Sequence, residues 1–346
     1  MGESRVYHCR VLISSLLSLF LFTHASEAID LALEPIQPIP VKLAYDVDKA
    51  ALGEKLFFEP KLSVDNSISC AHCHDLDEKG GADGLKRSFG VDGRVGLANS
   101  PTVFNAALNF SQFWDGRAET LEDQVAGPVT AHAEMASTWP DVVKKLSADS
   151  YYRETFSQLY NNGVTAANIK HAIAEFERTL ITPNSRFDRY LKGEADAITD
   201  EEKKGYRLFK EYGCMACHQG SNVGGNLFQV LGVMGSYYDD HPIENSSDLG
   251  RFNVTGKASD KHRFKVPSLR LTVLTAPYFH NGAYDSLYDA IRTMAKYQLG
   301  REIPDADVRS IISFLYTLPG EFRGRSLEPK EREHLIFPIK NRKDSR

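Results

Sequence analysis

Two five-residue stretches decide the fold of this chain: Cys70-Ala71-His72-Cys73-His74 and Cys214-Met215-Ala216-Cys217-His218. Both follow the pattern C-x-x-C-H, which is typical of c-type haem attachment. Two thiols about one helical turn apart can add to the two vinyl groups of a haem, and the adjacent histidine then reaches the iron from one face. The pattern therefore predicts two covalently bound c-type haems.

A C-x-x-C pair has two other common uses, a disulfide redox centre and a zinc site. A thioredoxin-like pair does not need the following histidine, and it lies in a strand–helix–strand context that is absent here. A zinc site would need four ligands from the two pairs and would leave His74 and His218 without a role. Haem attachment explains all of these residues, so we favour it over both alternatives.

The composition excludes several classes of protein. The 346 residues carry 41 Lys and Arg against 46 Asp and Glu, a net charge of −5, so no basic excess is available for binding nucleic acid. Aromatic residues make up 10% of the chain, which is a normal supply for a folded core. The length is sufficient for more than one domain.

The N-terminus has the features of a secretory signal peptide, predicted over residues 1–28. Arg5 and Arg10 precede an apolar run that ends at Phe22, and the small residues Ser26 and Ala28 follow it. A membrane anchor is the alternative, but the run is shorter than the ~20 apolar residues that span a bilayer. We therefore expect export to an oxidising compartment, the periplasm, with no membrane attachment after cleavage.

The sequence around the two motifs repeats. Gly53-Glu54-Lys55-Leu56-Phe57 precedes the first motif and Gly205-Tyr206-Arg207-Leu208-Phe209 precedes the second, each on a predicted amphipathic helix. Alternating strand patterns are scarce. We predict a mainly α, loop-rich fold with two cytochrome c-like haem domains over residues 29–190 and 191–325, followed by a tail over residues 326–346.

The predicted helices have recognisable ends and apolar faces. Asp46 or Asp48 is suited to cap the helix before the first motif, and two capping boxes, Thr199 with Glu202 and Ser286 with Asp289, open later helices. Two further helices are predicted over about residues 165–180 and 305–318, each with an apolar stripe.

The second axial position of each iron decides the role of its haem, because a six-coordinate haem transfers electrons and a five-coordinate one can bind a ligand. Met294 lies on an amphipathic helix after the second motif, where its thioether is a candidate ligand. An ordinary core methionine is the alternative. In the first domain His132 and Met135 are the possible candidates.

Five further motifs surround the two haem motifs. They are Ser100-Pro101-Thr102-Val103-Phe104-Asn105, Gln112-Phe113-Trp114-Asp115-Gly116-Arg117-Ala118, Glu134-Met135, Phe264-Lys265-Val266-Pro267-Ser268-Leu269-Arg270 and Ala276-Pro277-Tyr278-Phe279-His280. With these motifs the chain resembles the bacterial di-haem cytochrome c peroxidases over about residues 47–318. It is also similar to the di-haem enzymes that mature the methylamine dehydrogenase cofactor.

The resemblance implies a role for each matching residue. His74 would ligate an N-terminal, peroxidatic haem, and His218 with Met294 would ligate a C-terminal haem that accepts electrons, since Met/His ligation raises the reduction potential. Glu134 would be the distal acid–base group. A distal amide would come from Gln124, and an aromatic side chain between the haems from Trp114.

Further partners follow from the same resemblance. Asn99 and the carbonyl groups of Thr275 and Pro277 match a Ca²⁺ site at the domain interface, and hard oxygen ligands suit this ion. The implied substrate is H2O2, and the implied electron donor is a small cytochrome c or a cupredoxin. A homodimer is a further possibility for this family.

One position departs from the family pattern. Many members carry a histidine after the first motif that blocks the peroxidatic iron, and that position is Val91 here. No histidine occurs between His74 and His132. We therefore expect an open iron that needs no prior reduction, with His132 or Met135 as the alternative ligand. Two other functions remain open: a di-haem oxidase or maturase acting on a protein substrate, of which the maturase carries Tyr where Met294 stands, and a di-haem electron carrier.

Overall fold

The computed structural model describes residues 1–2, 31 and 33–329. Most of the predicted signal peptide and of the predicted tail therefore lies outside the described residues. Within them the fold is mainly helical, as predicted, and the strands are short. The helices are α1 Val47–Phe57, α2 Leu121–Thr130, α3 Trp139–Ala148, α4 Ser150–Leu159, α5 Ala166–Glu177, α6 Arg186–Leu191, α7 Asp200–Glu211, α8 Tyr237–Asp240, α9 Phe252–Thr255, α10 Leu287–Gln298 and α11 Asp305–Leu315. The strands are β1 Phe228–Val230, β2 Arg263–Lys265, β3 Glu321–Phe322 and β4 Arg325–Ser326.

The strands form two antiparallel pairs. Strand β1 pairs with β2 so that Phe228 lies opposite Lys265, and β3 pairs with β4 in a short hairpin. This hairpin packs on the first half of the chain, because the ring of Phe322 meets that of Phe104 with centroids 4.9 Å apart. The described part of the predicted tail is also packed, because Leu327 is buried in the same cluster as Phe104 and Phe322.

The helix ends confirm most of the predicted caps. Asp46 caps α1 through the N–H of Lys49, and Thr199 forms a reciprocal capping box with Glu202 at the start of α7. Ser286 caps α10 by accepting from the N–H of Asp289. Helices α5 and α11 each end three residues before the predicted boundary.

The repeated glycine of the sequence lies where two helices cross in the first half. A Cβ on Gly53 of α1 would lie 1.8 Å from the carbonyl oxygen of Ala172 in α5, a distance that no side chain tolerates. The two backbones therefore touch, which brings Leu52 and Leu56 into one apolar core with Ile173. Glycine is required here because only hydrogen fits between the helices.

The second half repeats this arrangement. A Cβ on Gly205 of α7 would lie 1.9 Å from the carbonyl oxygen of Ser310 in α11. Phe209 and Phe314 of these helices share the second core with Phe187 of α6. The sequence repeat is therefore a repeat of one helix crossing, placed once before each C-x-x-C-H motif.

A buried ion pair holds the second half to two neighbouring segments. Arg270 and Asp188 are both fully buried, and the Nη1 of Arg270 lies 2.8 Å from the Oδ1 of Asp188. The same guanidinium donates to the carbonyl groups of Ser221 at 2.6 Å and Gln37 at 2.7 Å. Losing Arg270 would leave a buried carboxylate and two carbonyl groups without their donor.

In the part of the chain that is described, no helix is long and apolar enough to cross a bilayer.

We predict that Gly205→Ala destabilises the protein. Alanine favours a helix over glycine by about 1 kcal/mol, but the added Cβ would collide with the Ser310 carbonyl, and overpacking costs about 1–3 kcal/mol or more. Urea unfolding of the haem-loaded protein should show a lower midpoint. Gly235→Ala is the control, because its Cβ would meet nothing closer than 3.7 Å; equal midpoints for the two variants would refute the tight crossing.

Arg270→Met should reduce the free energy of unfolding by about 3–5 kcal/mol, because it leaves Asp188 as an uncompensated buried charge. The matched control is Arg189→Met, which removes an exposed pair with Glu194 and should cost less than about 1 kcal/mol. Chemical denaturation of both variants tests the difference. A loss for Arg270→Met no larger than that of the control would be inconsistent with the buried pair.

Two candidate haem centres

The two C-x-x-C-H motifs adopt the same local backbone. Each begins in a short 3-10 turn, and the histidine N–H donates to the carbonyl of the first cysteine, at 3.1 Å from His74 to Cys70 and at 3.0 Å from His218 to Cys214. The turn places both cysteines and the histidine of each motif on one short segment. The spacing of the motif therefore gives the same arrangement of thiols and imidazole twice.

Each motif histidine is oriented by a backbone carbonyl. The Nδ1 of His74 lies 3.0 Å from the carbonyl oxygen of Gly81, and the Nδ1 of His218 lies 3.3 Å from that of Val223. Burial lowers the pKa of His74 and lowers that of His218 to about 4, so both rings are neutral at pH 7. A neutral imidazole whose Nδ1 is held by a carbonyl presents Nε2 as a ligand, which is the usual arrangement of a metal-bound histidine.

The four motif cysteines form no disulfide among the described residues. Burial raises the pKa of Cys70 to about 12 and the pKa values of Cys73 and Cys214 to about 11. No group of three or more His, Cys, Asp and Glu residues converges among residues 33–329. The disulfide and zinc interpretations therefore have no geometric support in this part of the chain.

A cavity of about 280 Å³ lies beside the second motif. Cys214, Cys217 and His218 line it on one side, and Met294 of α10 lines it as well. Apolar side chains of α7, α10 and α11 form much of the remaining wall, among them Phe209 and Ile311. The structure thus brings the predicted thioether donor to the same cavity as the motif, although the two are far apart in sequence.

The polar groups of this cavity also fit a haem. Tyr278 is buried, and its hydroxyl has no hydrogen-bond partner in the described residues. Lys265 lines the same cavity and is 7% exposed. A mostly apolar cavity with a few unpaired polar groups suits a large apolar ligand with a polar edge, and haem is such a ligand. Both residues lie within the sequence motifs described above, but neither was predicted to have a role; the available signal was a lysine inside an apolar stretch.

Trp114 and the three predicted calcium residues line the same cavity. The indole Nε1 of Trp114 donates to the carbonyl of Asn99 at 2.9 Å, which fixes the plane of the ring. The N–H of Asn99 donates to the carbonyl of His280 at 2.8 Å, and its Nδ2 donates to that of Leu85 at 2.9 Å. The backbone N–H and the Nδ2 of Asn99 are therefore both hydrogen-bonded, and its Oδ1 has no donor within the described residues, which leaves it available as a cation ligand. Thr275 and Pro277 belong to the same wall.

Glu134 lies in the turn that follows α2, against the loop that carries Val91. The N–H of Val91 donates to the backbone carbonyl of Glu134 at 2.9 Å. Gly90 permits this approach, because a Cβ there would lie 2.2 Å from the carbonyl oxygen of Ala133. Val91 is 2% exposed and packs in one apolar cluster with Met135. The position at which many family members carry a histidine is therefore a buried valine beside Glu134.

The carboxyl group of Glu134 lies in a partly buried environment. Burial raises its pKa, and the positive charge of Arg117 opposes that shift. Arg117 is itself held in place by Asp115 at 3.0 Å, and its guanidinium lies over the ring of Phe113 with 3.4 Å to the centroid. The raised pKa of Glu134 lies closer to neutral pH, and a carboxyl group exchanges protons most effectively when its pKa is near the working pH.

Gln124 and His132, the remaining candidate site residues of the first half, do not contact Glu134 through their side chains. Gln124 is half-buried in α2, and its amide makes no hydrogen bond to another described residue. His132 is exposed and lies beside Arg94, whose Nη1 is 3.3 Å from its Nδ1. The structure places Gln124, His132 and Glu134 on α2 and the turn that follows it, without direct contacts between their side chains.

Comparisons with known proteins show the family to which the chain is similar. The family model of the di-haem cytochrome c peroxidases matches residues 47–196. Cytochrome c551 peroxidase of Nitrosomonas europaea is 44% identical over 90% of this chain and 92% of that protein. Cytochrome c peroxidase Ccp of Escherichia coli is 49% identical over 84% of this chain, but the chain spans only 62% of the length of that protein.

A solved structure extends the comparison to the fold. A MauG-like protein associated with microbial copper homeostasis superposes with a TM-score of 0.70 at 26% identity, covering 82% of this chain and 93% of that one. The chain therefore belongs to the di-haem cytochrome c peroxidase family. The predictions of a mainly helical fold, of haem cofactors and of a cytochrome c peroxidase-type oxidoreductase are confirmed.

One buried carboxyl group near the first motif was missed by the sequence analysis. Glu177, at the end of α5, is 4% exposed, and its Oε2 has no hydrogen-bond partner in the described residues. Burial and the neighbouring charge of Glu122 raise its pKa to about 8. Composition alone does not distinguish a glutamate on the buried face of α5 from an exposed glutamate on another helix.

Glu177 should make stability depend on pH. The folded state holds its proton more tightly than the unfolded chain, so its contribution is complete below the ordinary pKa of 4.5 and disappears as pH rises through about 8. The decline should approach about 1.4 kcal/mol per pH unit. In urea unfolding from pH 5 to 9, Glu177→Gln should lose this decline and become more stable than the parent at high pH. The exposed control Glu78→Gln should retain it; parallel profiles for Glu177→Gln and the parent would contradict the buried proton.

Proposed function

We propose that this protein is a periplasmic di-haem cytochrome c peroxidase that reduces H2O2 to water with electrons from a small redox protein. The main support for the proposal is the difference between the residues that surround the two motifs. The second motif shares a cavity with Met294, whereas the position beside Glu134 that could carry a blocking histidine is the buried Val91. One centre is thus equipped to transfer electrons and the other to bind peroxide.

The haem ligands of the proposal are the motif residues. Cys70 and Cys73 would attach one haem and Cys214 and Cys217 the other, with His74 and His218 as iron ligands. Met294 would be the second ligand of the C-terminal iron. When bound, the haems supply the redox chemistry of peroxide cleavage and the storage of an electron. The carbonyl groups that hold His74 and His218 support these roles, because they leave Nε2 of each ring available.

Glu134 would carry the proton of the reaction. Its carboxylate would take a proton from one oxygen of peroxide and deliver it to the other, so that the O–O bond breaks and the second oxygen leaves as water. Two electrons from the donor protein, delivered through the haems, and two protons from solvent would convert the remaining oxygen to a second water. This general acid–base step contributes about 10²–10⁴-fold to a rate. The raised pKa of Glu134 supports the role, since the group then exchanges protons closer to neutral pH. Gln124 would supply an amide hydrogen bond in the same distal pocket.

Trp114 and the calcium residues would connect the two centres. The Trp114 ring lines the cavity of the second motif and is held by Asn99 of the first half of the chain. An aromatic ring in this position is suited to pass electrons between the haems. Ca²⁺ would be bound by Asn99 and the carbonyl groups of Thr275 and Pro277, which line the same wall; the free Oδ1 of Asn99 supports this assignment.

Val91 implies that the peroxidatic iron is open in the oxidised enzyme, so turnover should need no prior reduction. His132 is exposed beside Arg94, and Met135 is buried with Val91 in an apolar cluster. These surroundings favour neither residue as a substitute ligand.

A small cytochrome c or a cupredoxin would donate the electrons, and a homodimer is compatible with the family. Met294, where the maturases carry Tyr, favours the peroxidase over a maturase.

Glu134→Gln should lower the rate of H2O2 reduction by about 10²–10⁴-fold, because the amide cannot take up the proton. The test is a steady-state assay with H2O2 and a reduced small cytochrome c, with haem content measured in parallel. Glu119→Gln, a substitution at an exposed position, should retain the parent rate. Near-normal turnover by Glu134→Gln with both haems present would refute the acid–base role. A parent protein that is inactive with H2O2 would refute the peroxidase itself.

A further inference from the structure

We infer that Lys265 binds a propionate carboxylate of the haem attached at the second motif and thereby raises the reduction potential of that haem. The inference rests on the proposed function in one respect, namely that a haem is attached at Cys214 and Cys217. It adds a cofactor-binding residue with a defined electrostatic effect. The substrate and the catalytic step are not part of it.

The position of Lys265 is determined by its strand. Lys265 is the last residue of β2, opposite Phe228 of β1, and its backbone N–H donates to the carbonyl of Trp114 at 2.8 Å. Lys265 is one of the residues that line the cavity, together with His218 and Met294. The main chain of Lys265 is thus fixed by the aromatic residue assigned to the path between the haems, and the residue lines the candidate haem cavity.

The ammonium group of Lys265 lacks a partner. The residue is 7% exposed, and its Nζ makes no hydrogen bond or ion pair with any described residue. Every other residue of the cavity wall is uncharged or a histidine, so no carboxylate of the protein compensates this charge at the cavity. The other buried cation of this region, Arg270, has Asp188 and two carbonyl groups as partners. Lys265 therefore differs from it in having an unsatisfied charge.

Physical chemistry requires a partner for such a group. Removing an ion from water costs several kcal/mol, and lysine is almost never buried without an opposite charge. Burial lowers the pKa of Lys265 to about 8, because no described residue compensates the charge. The group that fills this cavity must therefore bring an anion to it. The propionates are the acidic groups of haem, and a primary ammonium group binds a carboxylate through a charge-assisted hydrogen bond.

The electrostatic consequence has a definite sign. A positive charge near the haem disfavours the ferric form, which carries one more positive charge than the ferrous form. Lys265 should therefore raise the reduction potential of the C-terminal haem, in the same direction as Met294. The two residues together would make this haem the one that holds an electron.

The test is a spectroelectrochemical titration of the haem-loaded parent, Lys265→Gln and Lys265→Arg. At a fixed solution potential, Lys265→Gln should lower the ferrous-to-ferric ratio of the C-terminal haem about tenfold, equivalent to about 59 mV for one electron. Lys265→Arg keeps the charge and should stay close to the parent. Lys257→Gln removes an exposed positive charge outside the cavity and should not change the ratio.

An unchanged potential in Lys265→Gln with both haems present would overturn the inference. If Lys265→Gln fails to incorporate the second haem, Lys265→Arg decides: normal haem content and potential would support carboxylate binding, and the same failure would overturn it. The titration contains no peroxide, so a protein that is inactive with H2O2 but shows the tenfold change would refute the proposed function and leave this inference intact.

Discussion

Direct contact between helix backbones at a glycine is the constraint on which both halves of this protein depend. At Gly53 and at Gly205 only a hydrogen atom separates one helix from a carbonyl oxygen of its partner. This contact fixes the angle and spacing of each helix pair, and the apolar residues of the pair then form the core. The second pair also forms part of the wall that receives Met294 from α10. The geometry of the candidate haem centre thus follows from a packing constraint outside it.

The two halves share this construction but differ in what surrounds their motifs. Both motif turns have the same hydrogen bonds, and both histidines are held by a carbonyl. The difference comes from the residues that later segments bring to each motif. The second half receives a thioether and an unpaired ammonium group, and the first half receives a buried valine beside a carboxyl group of raised pKa. In the proposed function, this difference separates electron storage from ligand binding while the attachment chemistry stays the same.

Much of this was predictable from the sequence because the signals are local. The C-x-x-C-H spacing, the caps at Asp46 and Thr199 and the repeated glycine each depend on a few neighbouring residues. Lys265 and Glu177 were missed because their significance depends on burial, which arises from contacts between distant segments. The hydrogen bond from Trp114 to Asn99 was missed for a similar reason: neither residue type indicates a partner fifteen positions away. Buried ionisable groups with an unpaired polar atom are recognisable only after the chain has folded around them.

The proposed function requires two unequal haem centres, one six-coordinate and one open. Electron paramagnetic resonance and electronic spectra of the fully oxidised, haem-loaded protein distinguish these two coordination states. We expect one low-spin haem with histidine and methionine ligands and one high-spin, five-coordinate haem. Two low-spin, six-coordinate haems in the oxidised protein would contradict it.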